Sequence, residues 1–219
     1  MTPMADKPTQ TLILVADPMC SWCWGFAPIM RQLRDDFSDR LGIEVLVGGL
    51  RPGTVETMDK TMKEYIRHHW EQVHDKTGQP FDFDFFEREG FVYDTEPACR
   101  AVVTMREMKP EAALDFLEDL HQANYAENRD VTDSKALAEL ATKYGVDAAD
   151  FTRQLESDEA RAATQKDFHE ARTLGVTGFP TIIARQSNPG EDDQYAFLTL
   201  GYRDYESIKP SLSEWTAPH

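Results

Sequence analysis

"TLILVADPMCSWCWGFAP", residues 11–28, carries the signals from which the rest of the chain can be read. "TLILVA" is short, apolar and rich in β-branched residues, the composition of a buried strand. Two of the three cysteines follow at once as Cys20 and Cys23. The continuation "WGFAPIMRQLRDDFSDRLG" sets Ile29, Leu33 and Phe37 at helical spacing, with Gly42 expected to stop the helix. Pro28 lacks a donor N–H one turn inside that helix and is expected to kink it. "IEVLVGG" (43–49) then reads as a second strand. Strand, helix and strand within about 40 residues make a βαβ unit, which predicts a parallel pair.

From Arg51 the character changes. "TVETMDKTMKEYIRHHWEQVHDK" (54–76), "PACRAVVTMREMK" (97–109), "PEAALDFLEDLHQANYAEN" (110–128), "DSKALAELATKYG" (133–145), "DAADFTRQLES" (147–157) and "DEARAATQKDFHEARTLG" (158–175) all read as helices. Gly, Pro, Asp and Asn punctuate them. "TIIARQ" (181–186) and "YAFLTLG" (195–201) return to strand patterning around the turn-rich "SNPGEDD", which predicts a hairpin with a long loop. "YRDYESIKPSLSEW" (202–215) predicts a closing helix that Pro210 can interrupt. Sheet-forming segments therefore sit at both ends of a helical middle. The economical arrangement is one α/β domain, residues 10–50 and 175–219, holding an all-helical insertion, residues 51–174.

The chain has 219 residues, of which 41% are hydrophobic and 28% charged, enough apolar material for a core without disulfide staples. A formal net charge of −16 argues against nucleic acid or an anionic membrane as partner, because phosphates would be repelled. The polar start "MTPMADKPTQ" and the brevity of "TLILVA" fit neither a secretory signal nor a membrane span. The expected location is the cytoplasm, where most thiols are held reduced.

Cys20 and Cys23 form a C-x-x-C pair with three readings. A structural zinc site needs four ligands, and Cys99 with scattered histidines supplies no second compact pair. A structural disulfide closing so small a loop would constrain the unfolded chain little. A redox dithiol suits the position best. The pair lies where a strand ends and a helix begins, and the unpaired N–H groups and positive dipole end there favour thiolate at the first cysteine.

"D-x-x-C-x-W-C" after a strand, a proline one helical turn on, and "GVTGFPT" (175–181) before a later strand resemble the thioredoxin superfamily. Within it they resemble the DsbA family of thiol–disulfide oxidoreductases, in particular members without an export signal that are predicted to be disulfide isomerases. The likeness in organisation covers nearly the whole chain, while the two motifs are its specific part. It implies a thioredoxin-like α/β fold with a large all-helical insertion. It further implies Cys20 as the exposed nucleophile, Cys23 as the buried resolving thiol and Pro180 as the family's cis-proline. Phe179 would offer its backbone to a bound substrate chain. The dithiol needs no cofactor, and glutathione is a candidate reductant.

Between the cysteines stand Ser21 and Trp22, where DsbA itself carries proline and histidine. Serine can lend a hydrogen bond and tryptophan steric cover, but neither lends a cation. Asp17 adds negative charge nearby, and is read here as a cap for the helix, with proton relay to Cys23 as the alternative. These features point to a weaker oxidant than DsbA. Of Trp22 and Trp24, one is expected to face substrate and the other to pack. Cys99, in "YDTEPACR" (93–100), is read as a buried core thiol, with Asp94 or Thr95 capping its helix. Met58, Met62, Tyr65, Trp70, Phe85 and Phe86 are read as core rather than groove.

The favoured function is a cytoplasmic reductase or isomerase acting on protein or small-molecule disulfides with the help of a thiol reductant. A glutathione-dependent isomerase or transferase like the kappa-class and chromene-carboxylate enzymes is the second reading, though retention of Cys23 counts against it. A client-binding chaperone module is the third.

Overall fold

The computed structural model describes residues 10–188 and 190–217. The polar N-terminal segment 1–9, Pro189 of the hairpin loop and the last two residues lie outside the described residues. Strand β1 (Gln10–Ala16) turns Leu12, Leu14 and Ala16 to one face of a sheet and Ile13 and Val15 to the other. Both faces are covered, which is why "TLILVA" has no polar alternation.

Helix α1 (Ser21–Phe37) lies on the first face, burying Phe26, Met30, Leu33 and Phe37 against it. Met30, not Ile29, completes the buried stripe, since Ile29 is only partly covered. The helix ends at Phe37, and Gly42 opens strand β2 (Gly42–Val47) rather than stopping the helix. It also runs unbroken through Pro28. The proline leaves the Trp24 carbonyl without its helical donor, and Gln79 Nε2 donates to that oxygen at 2.9 Å. β2 pairs with β1 in parallel, Leu12 opposite Ile43.

β3 (Thr181–Gln186) joins β1 antiparallel, and β4 (Gln194–Leu200) pairs antiparallel with β3. The sheet order is β2-β1-β3-β4. Helix α8 (Tyr205–Trp215) runs through Pro210 without a break and places Ile208 and Leu212 in the core shared with α1.

Between the two halves of the sheet come α2 (Lys60–Thr77), α3 (Glu96–Met108), α4 (Ala113–Tyr125), α5 (Ser134–Ala141), α6 (Ala148–Leu155) and α7 (Asp158–Thr173). α2 starts later than its periodicity suggests. Asp59 caps it, accepting from the Met62 N–H at 2.8 Å, and Thr57 bridges Val92 instead of joining the helix. α4 packs on both α1 and α3. Helix α7 falls within 51–174, the stretch read as insertion, and covers the second sheet face through Ala171, against Ile13, Val15, Leu46 and Ile183. Asp167 of α7 accepts from the Val47 N–H at 3.1 Å and takes a bidentate Arg106 at 2.7 and 2.9 Å. None of the described helices is long and apolar enough to cross a membrane.

Candidate active site

The turn from β1 into α1 places the cysteines. Cys20 is the N-cap of α1 with extended backbone (φ −98°), and no side chain caps the helix. Its carbonyl accepts from the Cys23 N–H at 2.9 Å and the Trp24 N–H at 3.2 Å. The Cys20 thiol thus sits at the positive end of the helix dipole. It donates to the Phe179 carbonyl at 3.8 Å. The Phe179–Pro180 peptide is cis, at the entrance to β3.

The "VGG" at the end of β2 is what lets Phe179 reach this place. A Cβ at Gly48 would lie 1.9 Å from the Phe179 ring, so only glycine leaves room for it. Gly49 follows with φ +72°, a left-handed backbone that glycine adopts without strain.

Cys23 sits one turn into α1 and is 3% exposed. Burial and the adjoining Cys20 push its thiol well above the usual cysteine range. Cys20 lines a cleft, and Cys23 lies beneath it in the core.

Asp17 is fully buried and does not cap α1. Its Oδ1 accepts from the Met19 N–H at 2.8 Å, within the turn before the helix. Its Oδ2 accepts from the Leu50 N–H at 2.6 Å and the Cys99 thiol at 3.3 Å. The carboxylate thus ties the β1–α1 turn to the loop after β2 and to α3. Burial raises its pKa despite these donors. Cys99 is a core thiol, pushed up by burial, but one bound to the site through Asp17. Thr95 does not cap α3 with its side chain either; its hydroxyl accepts from the Arg51 N–H at 3.1 Å, and Asp94 accepts from the Glu96 N–H at 3.0 Å.

Cys20, Ser21, Trp22 and Phe179 open on a cleft of about 220 Å³ whose other wall is Leu50, Arg51, Tyr65, His69, Trp70 and Tyr93. Trp22 packs against Tyr202, the rings tilted at 51° with centroids 5.5 Å apart. Trp24 is buried, its Nε1 donating to the Pro80 carbonyl at 3.0 Å. Met58, Trp70, Phe85 and Phe86 are buried and Met62 packs against that core, whereas Tyr65 is 58% exposed on the cleft wall. Arg51, Tyr93 and His121 also belong to the site, and local sequence offers no sign of them. Tyr93 donates to the Met19 carbonyl at 2.7 Å, and His121 Nε2 contacts the Asp17 carbonyl at 3.1 Å. They come from the insertion and the loop leading into it, so only packing brings them here.

Cys20 is itself only 6% exposed, not the open thiol expected, although it lines the cleft. A cleft-facing thiol at a helix N-terminus, a second thiol beneath it and a backbone carbonyl beside the first form an arrangement suited to thiol–disulfide exchange. Comparisons with known proteins agree. A proposed protein disulfide isomerase from Nitrosomonas europaea superposes with a TM-score of 0.86 and 37% identity, covering 94% of this chain and 97% of that one. The cytosolic disulfide reductase DsbM from Pseudomonas aeruginosa superposes with a TM-score of 0.73 at 24% identity, covering 94% and 98%, and also occurs in a structure with GSH. Among curated proteins, the ClpXP adapter protein SpxH of Halalkalibacterium halodurans is 24% identical over 85% of this chain, and the match spans only 61% of that protein's length. The model of the DSBA-like thioredoxin domain matches residues 11–200, nearly all of the sheet and the whole insertion, and the chain belongs to that family.

Proposed function

We propose that this chain is a cytoplasmic dithiol–disulfide oxidoreductase that reduces or isomerises disulfides of proteins or small molecules. The observation that carries the reading is the Cys20 thiol at the N-terminus of α1, 3.8 Å from the Phe179 carbonyl and facing the cleft. A Cys20 thiolate attacks the substrate disulfide, and the Phe179 backbone pairs with the substrate chain. Cys23 then displaces the substrate thiol and closes the Cys20–Cys23 disulfide.

A thiol reductant reopens that disulfide, and glutathione suits the cleft. Arg51 and His69 line it, and among the described residues no acidic side chain does, in a chain of net charge −16. A small thiol bearing carboxylates is favoured there. The P. aeruginosa relative, a cytosolic disulfide reductase, has been seen with GSH.

The direction of the chemistry follows from charge. Ser21–Trp22 places no cation between the cysteines, and Arg51 lines the cleft without belonging to the helix terminus that holds them. Asp17 is an acid behind the pair, which supports a pair less oxidising than one with histidine between its cysteines. A charge-assisted contact is worth roughly 1.5–3 kcal/mol. At about 30 mV per 1.4 kcal/mol, its loss moves the pair by one to two tenfold steps. Equilibration against a glutathione series, read by the fluorescence of Trp22 and Trp24, measures the potential directly. Acid-quenched alkylation of whole cells is expected to find the dithiol, and finding mainly the disulfide in the cytoplasm would sink the reductase reading.

The name of the curated relatives favours a second reading, a protein-binding adapter. An adapter keeps its activity when Cys20 and Cys23 are both serine; an oxidoreductase loses it.

A further inference from the structure

Behind Cys23, between α1 and α4, lies a second and much smaller pocket of about 20 Å³, bordered by Cys23, Met30, Leu117, His121 and Pro180. That volume suffices for one water molecule. Arg31 and Glu118 stand at its rim and pair with each other. Within, the only groups able to exchange a proton are Cys23 and His121, among the described residues.

The state of the His121 ring follows from its partner. Nε2 lies 3.1 Å from the Asp17 carbonyl oxygen, which can only accept, so Nε2 carries the hydrogen. Nδ1 is then a bare lone pair. It is buried and has no hydrogen-bond partner. An unpartnered acceptor on a residue 2% exposed is costly in a core, and such atoms in native proteins call for a reason.

We propose that His121 Nδ1 is the proton acceptor for Cys23 when it resolves the mixed disulfide, directly or through one water. The inference rests on the exchange chemistry of the preceding section. Starting from Cys20–S–S–R, the Cys23 sulfur attacks the Cys20 sulfur. The Cys20–Cys23 bond forms as the Cys20–SR bond breaks, and RS⁻ leaves with the electron pair and is protonated by solvent. The Cys23 proton moves to Nδ1 and passes later to solvent past Arg31 and Glu118. In the reductive direction the proton follows the reverse path, from solvent to Nδ1 and from Nδ1 to the departing Cys23 sulfur.

Each partner resists charge alone: burial drives the Cys23 thiol up and the His121 imidazole down to about 4. Transfer between them makes both charges together, where their attraction in a medium of low dielectric offsets the lost solvation. Among the described residues, no other titratable group around His121 stands as a free base; the Tyr125 hydroxyl is buried without a partner, but it is an acid. Asp17 holds three donors, Glu118 is paired with Arg31, and Tyr125, with its ring centroid 6.3 Å away, is an acid pushed further up by burial. Cys99 donates to Asp17, and Cys20 faces Phe179.

The test mixes reduced protein with glutathione disulfide in a stopped-flow instrument. The fast phase depends on disulfide concentration and reports attack by Cys20; the concentration-independent phase reports resolution by Cys23. In His121→Gln, whose amide can still donate to the Asp17 carbonyl, resolution is expected to slow by about 10²-fold at neutral pH, the lower end of general-base catalysis. It should approach the wild-type rate near pH 10, where hydroxide substitutes for the base, and the first phase should not change. Resolution slowed equally at every pH, or not slowed at all, overturns the proposal. So does slowing confined to Asp17→Asn, which would give the role to Asp17. Absence of both phases in the wild type would remove the exchange chemistry itself and this proposal with it. Independently of any variant, ¹⁵N spectra of histidine-labelled reduced protein should show His121 protonated at Nε2 and bare at Nδ1, and a protonated Nδ1 overturns the assignment.

Discussion

On the outer side of the β1–α1 junction Cys20 faces a cleft of about 220 Å³ walled by Trp22, Arg51 and Tyr65; on the inner side Cys23 borders a pocket of about 20 Å³ among Met30, Leu117 and His121. The two thiols are three residues apart, yet their surroundings pose different problems. A thiol that meets large partners needs room, which the cleft supplies, and Cys20 stands at the N-terminus of α1, where the helix dipole is positive. A thiol that acts only on its neighbour needs no access, but its charge must arise where water cannot follow. The price of placing it there is that a base must come from the protein. The single turn of helix between them is enough to separate the two tasks, because α1 presents one cysteine at its end and the other on its buried face.

The sharpest way to break this comparison is to remove each thiol. Cys20→Ser is expected to abolish exchange altogether, whereas Cys23→Ser should still react and then accumulate mixed disulfides with its partners, detectable by non-reducing electrophoresis or mass spectrometry. Equal trapping by both variants would show that the division of labour is wrong.

The inner side can be probed through acid stability. His121 is held at about 4 by burial, against about 6.5 in an unfolded chain, so the unfolded state binds the proton first. Its contribution is therefore complete above pH 6.5 and lost as pH falls towards 4, amounting to about 3 kcal/mol at that pH. Urea titrations at pH 7 and pH 4 should show a loss larger by about that amount in the wild type than in His121→Gln. An identical loss in both would mean that the imidazole is not buried neutral.

The outer side depends on the fit of Phe179 over Gly48. Gly48→Ala puts a methyl where the ring lies and is expected to cost about 2 kcal/mol, in the range of overpacked cores. It should also slow the reaction of Cys20, because the Phe179 carbonyl moves with its ring. A variant with unchanged rate would uncouple Phe179 from the site. The smallest effect is expected at Cys99. Its thiol adds one weak donor to an Asp17 that has two backbone donors already, and serine preserves a donor there, so Cys99→Ser should leave exchange rates within about twofold. A large loss in a folded variant would make Cys99 a third working thiol.

Much of this molecule was legible in order along the chain. The apolar run of β1, the spacing of α1, the C-x-x-C pair and the "GFP" before β3 are local patterns, and backbone geometry and side-chain period act on neighbours in sequence. The α/β fold with a helical insertion followed from their order, and the resemblance carried by the two motifs implied that it is thioredoxin-like. What sequence misjudged were functions of side chains whose partners are remote. Asp17 has the spacing of a cap, but its oxygens serve Met19, Leu50 and Cys99; Thr95 also looks like a cap, but it holds Arg51. Pro28 frees the Trp24 carbonyl as its chemistry requires, but the group that satisfies that oxygen is Gln79, 51 residues on from the proline. His121 is one histidine in a helical stretch with nothing beside it to mark it. Its hydrogen bond to Asp17 spans 104 residues, and no local propensity encodes so distant a contact. The sequence by itself therefore determined the elements, their order and the pair of thiols. Only the tertiary structure decided what each thiol faces, Arg51 and Tyr65 across the cleft from Cys20 and His121 behind Cys23, because those neighbours arrive by packing of the insertion onto the sheet.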